Sequence, residues 1–175
     1  MEKKEKTAGE EVANEKEQQP EEVSNPNEIV KKHVIGSMAV GLVPLPLVDL
    51  MALTGVQLNM LRKLTQHYQV SFFKDKATNI LASLIGSGLP VAFSGLFTSI
   101  VKTIPIIGQT TGALVMPAIS GASTYAVGKV FIQHFESGGT FLNFNPEAVK
   151  EYYAAMFKEG QQVVSNLKKK EDVAR

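Results

Sequence analysis

The chain contains no cysteine. Disulfides, thiolate metal sites and cysteine nucleophiles are therefore excluded. Charge is also missing from a long internal stretch. Between Lys76 and Lys129 the one charged side chain is Lys102, and the segments 77–101 and 103–128 hold no Asp, Glu, Lys or Arg. Each is long enough to cross a bilayer core as a helix, which takes about 20 apolar residues. The start of the chain is polar and acidic and lacks the basic-then-apolar pattern of a secretory signal. Membrane association is thus expected to come from internal segments. The formal net charge is +1, which gives no overall pull toward nucleic acid or an acidic partner.

Catalytic signatures are absent too. Gly128-Lys129 fails as a phosphate loop, because Gly121 is at the wrong spacing and Val130 replaces the needed hydroxyl. There is no Gly-x-Ser-x-Gly elbow. His33, His67 and His134 lie far apart, and none has a ligand-spaced His or carboxylate. Each reads as a helix-surface or boundary residue. The basic residues do not interleave with aromatics as single-strand binders require. No enzyme activity, cofactor, metal or nucleic acid is expected.

What the chain does carry is helical pattern. Its 175 residues are 44% hydrophobic and 20% charged, room for one domain plus tails. Residues 1–27, rich in Glu, Lys, Gln, Asn and Pro, read as a disordered acidic tail in preference to a docking arm. Residues 28–144 form the expected domain. A first helix over 28–43 is ended by Pro44 and Pro46. An amphipathic helix over 47–70 carries Leu50, Leu58, Leu61, Leu64 and Tyr68 on one side. A short junction over 71–76 leads to an antiparallel apolar hairpin over 77–135. Its arms, 77–101 and 109–135, are joined at a link holding Lys102, Pro105 and Gly108, with Pro90 and Pro117 expected to kink them. A turn over 136–145 follows. An amphipathic helix over 145–170 starts with Asn145 as cap and Pro146 behind it. Its apolar face is Val149, Tyr152, Tyr153, Met156, Val163, Val164 and Leu167. Its Lys168-Lys169-Lys170 suits the negative end of the helix dipole, and 171–175 is a tail. The fold class is all-α: a hairpin of two long apolar helices with flanking amphipathic helices.

The hairpin must be buried in lipid or in protein. Small residues four apart, at Gly88 and Ala92, Gly95 and Ser99, Gly108 and Gly112, and Ser120, Thr124 and Gly128, let backbones approach closely. Lys74, Lys76, Lys129 and His134 at the open end suit a cytoplasmic side. Against lipid stand the many Ser, Thr, Asn, Gln, Gly and Pro residues of both arms. A helix apolar all round also suits a protein core. Asp49, three residues past Pro46, reads first as an acid favouring the positive end of a helix, and otherwise as a partly buried carboxylate that binds a partner.

Two stretches carry a family likeness. One is Gly41-Leu-Val-Pro-Leu-Pro-Leu-Val-Asp49, continuing through Ala52-Leu-Thr, Gln57, Met60 and Leu64 to Tyr68. The other is Ile104-Pro-Ile-Ile-Gly108, with Thr124-Tyr-Ala-Val-Gly128-Lys129 and Phe135-Glu-Ser-Gly138. Over residues 29–144 the chain resembles the YcjF-like, GTPase-associated bacterial domain of unknown function. The resemblance implies a membrane protein that works beside a small GTPase supplied in trans, and it transfers no catalytic residue. The interaction or structural motif is then Pro44, Pro46, Asp49, Gln57, Lys102, Pro105 and Gly108. The expected function is a non-catalytic anchor or regulatory partner of that GTPase, in contact with membrane lipid. It would sit at the cytoplasmic face of a bacterial inner membrane and could form a homo-oligomer. The alternatives are a soluble, cytoplasmic interaction module whose hairpin is its own core, and a lipid-active protein that inserts conditionally.

Overall fold

A computed structural model of the chain describes residues 25–41, 46–86 and 111–173. Among them the regular elements are all helices. These are α1 (Pro26–Val40), α2 (Pro46–His67), α3 (74–86), α4 (Thr111–Glu136) and α5 (Lys150–Val173). The expected all-α class holds. The helix starts follow capping chemistry. The Asn25 side chain accepts from the Asn27 N–H, and Pro26 occupies the first turn, where a missing donor costs nothing. Asn25–Asn27 thus belong to α1 and not to the expected tail. The rest of that tail lies outside the described residues.

The ends follow turn geometry. α2 stops at His67, short of the expected Val70. Gln69 takes a left-handed φ of 56°, and the Val70 N–H bonds the Thr65 carbonyl at 2.9 Å. α4 ends in the same way. Gly138 has φ 76°, and the Gly139 N–H bonds the His134 carbonyl at 2.9 Å. Both are Schellman turns, which satisfy carbonyls left over at a helix end. Asn145 caps as expected, accepting from the N–H groups of Glu147 and Ala148 at 3.1 and 3.4 Å. Residues 146–149 form a turn, however, and α5 itself runs from Lys150 to Val173.

α4 is the axis of the bundle. From Ser120 to Phe135 most of its side chains are buried, on every side of the helix. α1 lies antiparallel to it. A Cβ on Gly41 would meet the Pro117 backbone at 2.9 Å, one on Gly121 would meet Met38 at 2.8 Å, and one on Gly128 would meet Val30 at 2.5 Å. α5 is antiparallel along another side. There Gly160 sits so close that a Cβ would lie 2.9 Å from the Ala122 carbonyl oxygen. α2 runs parallel to α4, with Gln57 opposite Ser123 and Thr124 and with Tyr68 opposite Glu136. The small-residue stripe of α4 is therefore a seat for α1 and α5 within the protein.

One end of the bundle, its base, is locked by aromatic rings. Phe131 of α4 stacks on Phe144 at 4.7 Å and lies 5.4 Å from Phe141 of the following turn. Phe141 in turn meets Phe72, just ahead of α3. Ala77, Leu81 and Leu84 of α3 are buried in the same core. Among the described residues no helix is long and apolar enough to cross a membrane, so the expected transmembrane helix finds no support there. Within the expected second arm, 109–135, the stretch 120–132 is largely covered by protein. The hairpin tip and most of its first arm lie outside the described residues, including Pro90 and Lys102. Pro117 sits inside α4 near its start.

Candidate functional site

Of the motif residues chosen from sequence, Pro44, Lys102, Pro105 and Gly108 lie outside the described residues. Pro46 is the first residue of α2, where its missing donor is harmless. Asp49 falls in the first turn of that helix, the position that favours an acid through the helix dipole. Gln57 is fully buried at the meeting of α2, α4 and α5.

The Gln57 amide donates through Nε2 to Ser123 Oγ at 3.4 Å and to Thr124 Oγ1 at 3.3 Å. Ser123 Oγ shares a hydrogen bond of 3.1 Å with Tyr153 Oη. Burial pushes the Tyr153 phenol up, partly offset by its bond to Ser123. Gln57 Oε1 has no hydrogen-bond partner among the described residues. This is a neutral, hydroxyl-rich cluster. It contains no base, no acid that ionises near neutrality and no nucleophile beside a base, so the constellation of a reaction centre is not assembled there. The family resemblance singles out Gln57 as a motif residue but not its partners. Thr124 is visible as a small residue of the Ser120, Thr124, Gly128 spacing, Ser123 is not marked, and their hydroxyl chemistry emerges once α2 lies alongside.

A second polar feature lies at the surface between α1 and α2. Ile29, Lys32, His33 and Gly36 of α1 face Val56, Asn59 and Lys63 of α2 across a cleft of about 290 Å³. His33 Nδ1 bonds the Ile29 carbonyl at 2.7 Å, one helical turn back. A Cβ on Gly36 would meet no heavy atom within 4 Å, so the missing side chain leaves that stretch of wall open. Among the described residues no carboxylate lines the cleft. Glu28 lies one turn before Lys32 and is exposed.

The histidines play local parts. His134 Nε2 bonds the Thr140 carbonyl at 2.9 Å and its ring packs on Gly139, fixing the turn after α4. His67 closes α2 with its ring edge-on to Tyr68. Among the described residues no group of three His, Cys, Asp or Glu side chains is placed to hold a metal ion.

Comparison with known proteins places the chain in a family. Residues 4–162 match the domain of unknown function DUF697, so the chain belongs to that family. It is similar to "Magnetosome membrane protein 22" of Magnetospirillum gryphiswaldense, 33% identical over 152 residues that span 83% of this chain and 75% of the relative. No solved structure matches.

Proposed function

We propose that this DUF697 protein is a non-catalytic, membrane-associated helical protein that anchors or regulates a separate small GTPase. The observation that carries the membrane role is the similarity to a magnetosome membrane protein along most of the chain. Since α4 is enclosed by α1, α2 and α5, lipid contact is assigned elsewhere. The apolar sequence between α3 and α4 has Lys102 as its one charge. It would form the tip of an antiparallel hairpin that enters the bilayer. Met51 and Met116, at 79% and 45% exposure, lie in the early turns of α2 and α4 and extend that apolar end. Lys74, Lys76 and Lys129 stand toward the base, which favours the cytoplasmic face of an inner membrane.

The GTPase partner rests on the Gly41–Asp49 motif and its continuation to Tyr68, the residues that resemble a GTPase-associated domain. Alkaline-carbonate washing of membranes from cells that express the tagged chain tests the first part. Retention in the pellet is expected, and full recovery in the detergent-free soluble fraction rules membrane association out. Purification in the presence of GDP or of a non-hydrolysable GTP analogue tests the second part. A GTPase that co-purifies in one nucleotide state supports it. Failure in both states removes the partner and leaves the membrane role standing.

The enclosure of α4 favours a second reading, a protein-interaction module whose hairpin is its own core. That reading expects a monodisperse, cooperatively melting protein without detergent.

A further inference from the structure

We propose that the cleft between α1 and α2 binds a phosphoryl anion carried on a small organic group, of the kind a phospholipid presents at a membrane surface. Lys32 and Lys63 approach it from different helices, and Asn59 adds amide donors. Lysine ammonium groups and side-chain amides are standard ligands for phosphate oxygens. Lys31 and Arg62 are exposed next to Lys32 and Lys63 along their helices and add positive potential. The other wall is apolar. Ile29 is buried, Val56 is half-buried and Gly36 offers bare backbone. A cationic rim on an apolar wall suits an anion with a carbon skeleton better than a bare ion. The volume of about 290 Å³ is near the lower end of small-ligand sites, which run from roughly 300 Å³ upward.

Gly36 is the most informative part of this site. It sits in the interior of α1, where glycine is about 1 kcal/mol less favourable than alanine. A Cβ there would touch nothing. Packing therefore does not demand this glycine, whereas packing does demand Gly128 and Gly160; Gly55 of α2 is equally open, and what sets Gly36 apart is its place in the cleft lining. At this place in the wall, the missing side chain leaves room for a ligand.

The lipid source rests on the membrane association proposed above; the phosphoryl chemistry does not. Two probes separate the sources. One is a set of phosphatidylcholine vesicles with and without phosphatidylglycerol, read by co-sedimentation at low salt. The other is soluble glycerol 3-phosphate, read by NMR shifts of α1 and α2 amides. Lys32→Gln with Lys63→Gln removes the charge. Gly36→Leu fills the opening in the wall with all charges kept, and it places a good helix former in a helix interior, so the fold is expected to survive. Lys74→Gln with Lys76→Gln is the charge-matched control, at exposed positions toward the base of the bundle and away from the end assigned to lipid. Circular dichroism verifies that each variant is folded.

A lipid source predicts that phosphatidylglycerol-dependent binding falls about tenfold or more in both cleft variants and less than twofold in the control. A soluble source predicts that glycerol 3-phosphate shifts the cleft amides in wild type and in neither cleft variant. The inference is overturned if wild type binds neither probe, if Gly36→Leu binds like wild type, or if the control loses as much as the cleft variants. Retention in carbonate-washed membranes with unaltered cleft variants sinks the cleft and keeps the membrane role. Binding of glycerol 3-phosphate by a chain that never fractionates with membranes does the reverse.

Discussion

Gln57 is a buried amide whose donor side is used and whose carbonyl oxygen is not. A buried polar atom without a partner costs about 1–3 kcal/mol. Turning the amide over would give the oxygen both hydroxyls and leave the nitrogen short, so one side stays unmet in either orientation. Replacement by an apolar side chain of similar size should then be cheap. Gln57→Leu is expected to change stability by less than about 1 kcal/mol in either direction. Ser123 keeps its bond to Tyr153 in that variant. Urea unfolding measures the outcome. A loss well above about 2 kcal/mol would mean that the cluster is satisfied more fully than its geometry indicates. Gln57 also marks what a single residue reveals in sequence. A polar residue on the apolar side of an amphipathic helix is visible at once, but its partners on α4 lie more than sixty residues away along the chain and follow from tertiary packing alone.

At the scale of elements, the α1–α4 seam turns on close approach. Gly41, Gly121 and Gly128 each leave room for an atom of the opposing helix. The spacing of Ser120, Thr124 and Gly128 announced that a backbone would come near. It could not say whose, because small residues serve lipid-embedded and water-soluble packing alike. The partner face on α1, with Val30 and Met38, carries no signal beyond ordinary apolar periodicity. Gly128→Ala would place a Cβ 2.5 Å from Val30 Cγ2. Val30 is β-branched and has little rotamer freedom to yield. A destabilisation of about 1–3 kcal/mol is expected from overpacking, although alanine is the better helix former. Val30→Ala in the same chain should recover much of that loss, so the two changes should couple by more than about 0.5 kcal/mol in a double-mutant cycle. Strict additivity would show that α1 does not rest on α4 at this point. Gly160, facing the Ala122 backbone, obeys the same logic without the rescue, because a main-chain atom cannot be trimmed. The cleft between α1 and α2 had no sequence signature. Lys32 and Lys63 belong to different helices, and only the packing of α1 against α2 makes them neighbours.

For the whole molecule, the question left open by the uncharged sequence was what surrounds it, and from Ser120 to Phe135 of α4 the answer is mostly protein. The four tyrosines test that enclosure together, since they stand along the seams that α4 makes with α2 and α5. Burial pushes the Tyr68 phenol up to about 12, helped by its hydrogen bond to Glu136 at 3.0 Å and by that carboxylate's charge. Burial raises Tyr125 as well, aided by its bond to Glu159 at 2.6 Å. Tyr152 is raised by burial and then by the charges of Glu159 and Glu136, and Tyr153 is raised by burial. An unfolded tyrosine loses its proton near pH 10. Between about pH 10 and 12 the unfolded chain therefore sheds protons that the folded chain keeps. The unfolded state binds fewer protons there, so stability is fully present below pH 10 and falls as pH rises through that window. Ultraviolet tyrosinate absorbance should show little ionisation of the native protein at pH 10, and a midpoint near 10 once denaturant is added. Urea midpoints should drop steadily above pH 10. A native titration already half complete at pH 10 would place the phenols in water and open the seams around α4. It would also return the bare sequence of that helix to the set of surfaces available for lipid.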